Sequence, residues 1–262
     1  MSDPLFSVAE QIVLVTGSSR GIGRAIAQGF AARQAQVVIC GRHAETLKVT
    51  RQEIEQATGN KVTPLVCDLA NKTDIDRLVA ATLEQFGRID TLVNVVGVNR
   101  RKPVETVTEE DYDFVVDINL KGAFLIATAV GRHMLERQSG AQIHISSLNN
   151  DRPLKNVAPY AISKAGVGHL TRALALEWGG RGVRVNAIAP GFILTDLTQK
   201  LWSDPTMQAW GQANTPQKRL GTPDDMVGTA LFLASAASAF MTGQILYVDG
   251  GFTAGWSWPI PG

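Results

Sequence analysis

The chain has 262 residues, enough for one large α/β domain or two smaller ones. Its 45% hydrophobic and 19% charged residues suit a globular protein with a substantial core. Twenty-five Lys and Arg against 24 Asp and Glu leave a formal net charge of +1, which gives no electrostatic ground for a nucleic-acid or acidic-membrane partner. Two cysteines without CxxC spacing and four histidines without HxxxH or HExxH spacing argue against a disulfide framework, and no metal site is expected.

The opening segment MSDPLFSVAEQ has neither a basic stretch nor a long apolar run, so no secretory leader is expected in it. IVLVT (12–16) reads as a buried strand, and the stretch from Gly21 to Arg33 carries Ile22, Ile26 and Phe30 at helical spacing. QVVIC (36–40) is a second strand, followed by a helix near 43–58 and a third strand at 61–67. Cys40 and Cys67 end these apolar runs and read as buried thiols in a reducing, cytoplasmic setting. Asn71 or Thr73 caps the next helix, which runs to Phe86, and TLVNVVG (91–97) is a fourth strand. Two helices are expected next, from about Thr108 and from about Leu120 to Arg137. A fifth strand (141–147) follows, then a helix with Pro159 in its first turn, a sixth strand (183–190) and a seventh (244–250). Leu231 to Met241 is apolar but too short and too rich in Ala and Ser to span a bilayer. Alternating strands and helices with fully apolar strands predict one α/β Rossmann-type domain over 1–262: a doubly wound, seven-stranded parallel sheet with helices on both faces. Residues 194–222, polar and with Trp202, Trp210, Pro205 and Pro216, break the rhythm and read as a substrate lid.

Thr16-Gly17-Ser18-Ser19-Arg20-Gly21-Ile22-Gly23 lies between the first strand and the first helix. Gly17 allows a tight turn, Gly21 lets backbone approach a pyrophosphate, and Gly23 lets the helix pack close to the sheet. The helix N-terminus presents N–H groups and a positive dipole end to phosphate. In the first βα turn of an α/β chain this spacing predicts a dinucleotide site. Beyond the second strand the sequence is Cys40-Gly41-Arg42-His43, with no carboxylate until Glu45. An acidic residue there would favour NAD; Arg42, with Arg20 opposite, favours the 2′-phosphate of NADP(H).

Tyr160 and Lys164 are four residues apart on one helix, and Ser147 lies thirteen residues before the tyrosine. A nearby ammonium favours the phenolate, so the pair reads as a phenol whose pKa, ordinarily about 10, is lowered for proton transfer.

Taken together, TGSSRGIG (16–23), Asp68, Asn94 to Gly97, Asn119 in DINLKG, Ser147 in HISS, YAISK (160–164), Pro190-Gly191 and YVDGG (247–251) resemble the short-chain dehydrogenase/reductase family, in particular its 3-oxoacyl-carrier-protein reductases, over nearly the whole chain. The resemblance implies an oxidoreductase that interconverts a ketone and a secondary alcohol. It makes Tyr160 the acid or base, Ser147 the oxyanion donor, Lys164 the ribose-binding residue and Asn119 the holder of a relay water. Ser19 and Ile22 join the phosphate cradle. Asp68 and Leu69 flank the adenine, Asn94 and Gly97 line the cofactor channel, and Pro190, Gly191, Ile193 and Thr195 contact the nicotinamide amide and phosphates. The family usually has NNAG where this chain has Asn94-Val95-Val96-Gly97, which removes an amide that supports the central sheet.

Val98, Asn99, Asn149, Val157, Phe192 and Trp202 are expected to line the substrate pocket, and their apolar share leans toward a hydrophobic carbonyl. Carrier-protein reductases use basic residues at two positions where this chain has Gln138 and Arg181, with Arg137 beside the glutamine, a half-complete match. Polyol or sugar-acid oxidation is the other alternative. Arg100, Arg101 and Lys102 could meet an anionic substrate, although a solvated loop is the simpler reading. A non-catalytic NADPH-sensing scaffold is the reading from a different class, and the intact Asn119, Ser147, Tyr160 and Lys164 set speaks against it. The resemblance also implies a homotetramer. The aromatic tail from Gly255 to Gly262 is expected to pack on a neighbouring subunit or close the substrate pocket.

Overall fold

A computed structural model describes residues 3–255, so the expectation for the Trp256 and Trp258 tail lies outside the described residues. Seven strands form one parallel sheet: β1 (Ile12–Thr16), β2 (Gln36–Gly41), β3 (Val62–Val66), β4 (Thr91–Asn94), β5 (Gly140–Ile145), β6 (Val183–Pro190) and β7 (Ile245–Val248). Their order is β3-β2-β1-β4-β5-β6-β7. The seven expected strands, the parallel pairing and the two-sided covering are all present.

Side chains alternate across the sheet because successive strand residues face opposite ways. Val13, Val15, Val37 and Ile39 enter one core, with Ile26 and Phe30 of α1 (Gly21–Ala31), Leu47 and Ile54 of α2 (Ala44–Thr58) and Leu231 of α9 (Val227–Ala234). Leu14, Val38 and Cys40 enter the other, with Ile75 and Leu78 of α3 (Lys72–Phe86), Ile126 and Val130 of α5 (Gly122–Arg137) and Leu174 of α6 (Ala158–Trp178). Asn71 is the cap of α3, accepting from the Thr73 and Asp74 amides. Cys40 and Cys67 are buried free thiols in the second core.

One local expectation is corrected. The two helices after β4 are a single continuous span, Glu109–Arg137. It begins with α4 (Glu109–Val116), passes through a π turn (Asp117–Lys121) that contains Asn119, and continues as α5. The extra residue in a π turn shifts the helical register without breaking it, so the change in apolar phase read as a gap. This span is apolar and long enough by composition to cross a bilayer, but Ile126, Val130 and Met134 bury that apolar side under the sheet.

The sheet order reverses at β1, whose neighbours are β2 and β4, and crevices at the carboxyl ends of such strands are where α/β proteins bind ligands. β4 stops at Asn94 and β5 at Ile145, short of the expected ends, because residues 95–97 and 146–147 turn into that crevice. The segment read as a lid borders the crevice with residues 195–198 and then folds as α7 (Gln199–Trp202) and α8 (Pro205–Asn214). Its base is tied by the Leu194 amide to the Gly221 carbonyl (2.9 Å) and the Gly221 amide to the Phe192 carbonyl (2.8 Å).

Gly23 sets the distance between α1 and the cradle loop. A Cβ there would press on the Gly17 carbonyl and lie 2.9 Å from the Ser18 Cα, both backbone groups that cannot rotate away. Gly23→Ala should therefore lower stability by about 1–3 kcal/mol in urea unfolding, the usual cost of overpacking.

Candidate active site

The carboxyl ends of the strands enclose a cleft of about 280 Å³. Its phosphate end is built by the β1–α1 loop. Gly17 and Gly21 both take positive φ (60° and 54°). Ser18 ties the loop to the sheet, donating to the Val15 carbonyl and accepting from the Cys40 amide, each at 2.8 Å. Arg20 stands at the N-cap of α1 without a side-chain cap bond, which leaves first-turn amides for an external acceptor. The backbone that a Cβ at Gly23 would foul is part of the same cradle. Arg20 and Arg42 line the cleft, are exposed, and make no ion pair among the described residues. These features fit a dinucleotide whose ribose carries a phosphate.

At the other end, Ser147, Tyr160 and Lys164 line the cleft together. Ser147 follows β5, and Tyr160 and Lys164 share one face of α6. The Lys164 ammonium is buried and donates to the Ile145 carbonyl at 2.8 Å. Gly97 makes room for it, since a Cβ there would lie 3.2 Å from Nζ. Asn119, fully buried in the π turn, clamps the loop above: its Oδ1 accepts from the Val98 amide (2.7 Å), and its Nδ2 donates to the Val98 carbonyl (2.9 Å) and to Ser163 Oγ (3.1 Å). Ser163 in turn donates to the Tyr160 carbonyl at 2.7 Å. The π turn is thereby linked to the helix turn that carries the tyrosine.

The electrostatics correct one expectation. The protein's own groups leave the Tyr160 pKa above its ordinary value of 10, because burial disfavours the phenolate; the hydrogen bond from Ser147 and the charge of Arg101 pull the other way. Lys164 Nζ lies 5.8 Å from the phenol ring centroid and donates to the Ile145 carbonyl. Burial also brings Lys164 down to about 8 and His144 to about 4, the latter helped by the Lys164 charge.

Of the residues expected to hold the cofactor, Gly17, Ser19, Arg20, Gly21, Ile22, Gly23, Arg42, Asp68, Leu69, Gly97, Pro190, Gly191, Ile193 and Thr195 line the cleft with Tyr160 and Lys164. Asn94 does not. Its Oδ1 accepts from Thr16 Oγ1 at 2.9 Å, and its Nδ2 meets His144 Nδ1 at 3.4 Å, joining β1, β4 and β5. These contacts support the strand ends beside which the family's second asparagine is absent.

Of the residues expected to line the substrate pocket, only Val98 borders the cleft. Phe192 and Trp202 instead form the apolar core of the lid with Leu148 and Leu220, and Phe192 also meets Trp210 and Phe252 edge-on. Burying these rings under the lid removes more apolar surface from water than lining a polar cleft would. Val157 is buried at the start of α6, Asn99 lies outside the cleft wall, and the Asn149 amide is committed to Ser147 and Leu154.

The 98–103 loop is partly neutralised. Asp111 is buried, pairs with Arg100 (3.0 Å) and with Lys102, and its carboxyl is held well below the usual range by Lys102, the Thr108 amide and Arg100. Arg100 also covers the Phe114 ring. Arg101 is exposed, has no ion pair among the described residues, and acts electrostatically on Tyr160. Residue type alone does not separate it from its two basic neighbours.

A phosphate cradle at the switch point of a parallel sheet, with Ser, Tyr and Lys grouped beyond it, defines a dinucleotide-binding protein equipped for proton transfer. Comparison with known proteins agrees. The family model described as Enoyl-(Acyl carrier protein) reductase matches residues 17–253. Gluconate 5-dehydrogenase of Gluconobacter oxydans is 39% identical over 254 residues, covering 97% of this chain and 99% of that one. The 3-oxoacyl-[acyl-carrier-protein] reductase of Synechocystis is 39% identical over 94% of this chain and 98% of its own. The crystal structure of a gluconate 5-dehydrogenase from Burkholderia cenocepacia, in complex with NADP and tartrate, superposes with a TM-score of 0.92 at 35% identity, covering 97% of this chain and 99% of that one. The chain belongs to the short-chain dehydrogenase/reductase family of oxidoreductases.

The buried Lys164 gives a stability test. Its folded pKa of about 8 lies below the 10.5 of an exposed lysine, so between those values the unfolded chain binds more protons. Stability therefore rises with pH across that window. Relative to a Lys164→Met variant, the wild type should gain stability as pH rises from about 8 toward 10.5 and show its largest deficit below 8, as read by urea unfolding across the range.

Proposed function

We propose that the protein is an NADP(H)-dependent dehydrogenase that interconverts a secondary alcohol and a ketone on a polyol or sugar acid. The observation that carries this reading is the convergence of Ser147, Tyr160 and Lys164 on one cleft with the glycine cradle. When bound, the dinucleotide supplies or accepts the hydride. Tyr160 gives the proton to the ketone oxygen in reduction and takes it from the alcohol in oxidation. Ser147 donates to the same oxygen as charge develops on it. Lys164 binds the nicotinamide ribose, and its charge together with that of the oxidised ring offsets the burial that holds the phenol up. A relay water at Asn119 returns the proton to solvent; the Asn119 side chain is occupied by Val98 and Ser163, so the main-chain carbonyl groups of the π turn are the places for it.

Arg20 and Arg42, both unpaired among the described residues, are assigned to the 2′-phosphate. Arg101, exposed, without an ion pair among the described residues and acting on the Tyr160 phenol by its charge, is assigned to an anionic substrate group. The gluconate 5-dehydrogenases that the chain resembles support this choice. The carrier-protein alternative is weaker. Gln138 and Arg181 follow the C-terminal ends of α5 and α6, and the 21-residue α6 separates Arg181 from Tyr160 by about 30 Å; Arg137 is held by Asp90 at 3.1 Å. A cytoplasmic homotetramer completes the reading. Exposed Phe124 on α5, exposed Ile162 and Leu176 on α6, and the free edge of β7 are the surfaces it would cover.

With NADP⁺, turnover of D-gluconate or D-threitol should exceed NADPH-dependent turnover of a 3-oxoacyl thioester; the reverse order would select the carrier-protein reading, and no turnover of any of them the scaffold reading. Tyr160→Phe should lower kcat by about 10²–10⁴-fold, the usual worth of general acid–base catalysis, without changing the NADPH Kd. Near-wild-type turnover would remove the tyrosine from the reaction.

Replacing both Arg20 and Arg42 by Ala should raise KM for NADP⁺ by about tenfold or more, each charge-assisted bond being worth roughly 1.5–3 kcal/mol, while leaving KM for NAD⁺ within a few-fold. Equal losses for both cofactors would overturn the 2′-phosphate assignment.

A further inference from the structure

The hydrogen bonds around Ser147 leave its hydroxyl one direction of donation, and the residue responsible is Asn149. Both residues are buried, each 6% exposed. Ser147 Oγ accepts from the Asn149 amide at 3.2 Å and from Asn149 Nδ2 at 3.3 Å. The orientation of the Asn149 side chain is set by the main chain. The Leu154 amide donates to Oδ1 at 3.0 Å, and an N–H can only donate, so the oxygen must face Leu154 and the NH₂ must face the serine. A hydroxyl has two acceptor positions and one proton. With both acceptor positions filled by Asn149, the Ser147 proton has to point elsewhere, and the side left to it is the cleft that Ser147 lines together with Tyr160.

We infer that Asn149 is a positioning residue that makes Ser147 a donor toward the oxygen of the reacting substrate. Had the side chain been an acceptor, the serine proton would turn back toward residue 149 and be lost to the reaction. The Asn149 amide also draws electron density from Oγ, because a hydroxyl that accepts becomes a better donor along the same chain. The chain runs from the Leu154 amide through Asn149 to Ser147 at the cleft. It connects the 150–157 segment, whose Leu154 packs against the lid core, to the reacting atoms. Ser147 also caps the short 3-10 turn Leu148–Asn150 through the Asn149 main-chain amide, and that bond is independent of the side chain at 149. Removing the Asn149 side chain therefore leaves the cap in place while freeing one acceptor position of the serine.

The inference rests on the reading of Ser147 and Tyr160 as the reacting pair, and its test separates the two. Asn149→Asp keeps the shape and an acceptor for the Leu154 amide but turns the serine-facing group from donor to acceptor. With NADP⁺ and whichever of D-gluconate and D-threitol the wild type oxidises, or NADPH and a 3-oxoacyl thioester, kcat of Asn149→Asp should fall by about 10²-fold, the cost of losing an oxyanion donor. The NADP⁺ Kd and Tm should stay near wild type. The loss should shrink as pH falls and the new carboxyl takes up a proton. Asn149→Ala, which loses the donor without reversing it, should lower kcat by about tenfold. The same substitution in a Ser147→Ala background should change kcat less than twofold, because the effect runs through the serine. An Asn149→Asp variant within threefold of wild type, or an Asn149→Ala loss of equal size in both backgrounds, would reduce Asn149 to a structural turn residue. A wild type that turns over none of the substrates would overturn the underlying reading, and this inference with it.

Discussion

Lys164 places a positive charge inside the protein at the floor of the cleft, where among the described residues only the Ile145 carbonyl, at 2.8 Å, compensates it directly. Much of the surrounding architecture follows from housing that charge. Gly97 lacks a Cβ where one would sit 3.2 Å from the ammonium. His144, on the strand below, is held neutral, with a pKa near 4. Ser146 donates to the Lys164 carbonyl at 3.0 Å and pins this turn of α6 to the end of β5, so that the lysine and the serine beside it keep a fixed separation. Burial of this kind is costly for an isolated lysine and is characteristic of functional sites, where perturbed pKa values cluster.

The π turn is the second element on which the site depends. By accommodating one extra residue within Glu109–Arg137 it directs Asn119 into the interior rather than along the helix surface. From there one amide side chain holds both polar groups of Val98 and reaches Ser163, which backs the Tyr160 turn. The cofactor-side loop, the helix after β4 and the catalytic helix are thereby joined by three hydrogen bonds. The neighbouring 98–103 loop is organised differently, by charge: Asp111 takes up Arg100 and Lys102, while Arg101 has no ion pair among the described residues. A carboxylate on α4 thus separates two of three adjacent cations from the third.

Much of the fold and of the site was legible from residue order. Apolar runs of four to eight residues, the glycines of the cradle and the Tyr-Lys spacing are local signals. They depend on backbone freedom, strand burial and helix pitch, which act within a few residues. The substrate side was less legible, because aromatic residues in a polar insertion serve equally well to line a pocket or to fill the core of the insertion itself. Phe192 and Trp202 took the second role with Leu148 and Leu220. Asn149 was expected at the pocket wall and lies behind it, oriented by the main chain of Leu154. The tyrosine was expected to be lowered by its lysine. Spacing on a helix does not reveal that the ammonium bonds a carbonyl of β5, or that burial acts on the phenol in the opposite direction.

By itself the sequence determined the strand and helix succession, the phosphate cradle, the choice of Ser147, Tyr160 and Lys164 as candidate reacting side chains and the absence of a carboxylate after β2, because each depends on residue type at short spacing. Only the tertiary structure decided which polar groups face one another: Asn94 toward Thr16 and His144, Asn119 toward Val98, Asn149 toward Ser147, and Asp111 toward two of three neighbouring cations. Those pairings join residues brought together by strand crossovers or by the turn geometry of loops. Burial then determines whether each group serves as donor, acceptor or charge, and neither distance nor burial is written in the local pattern.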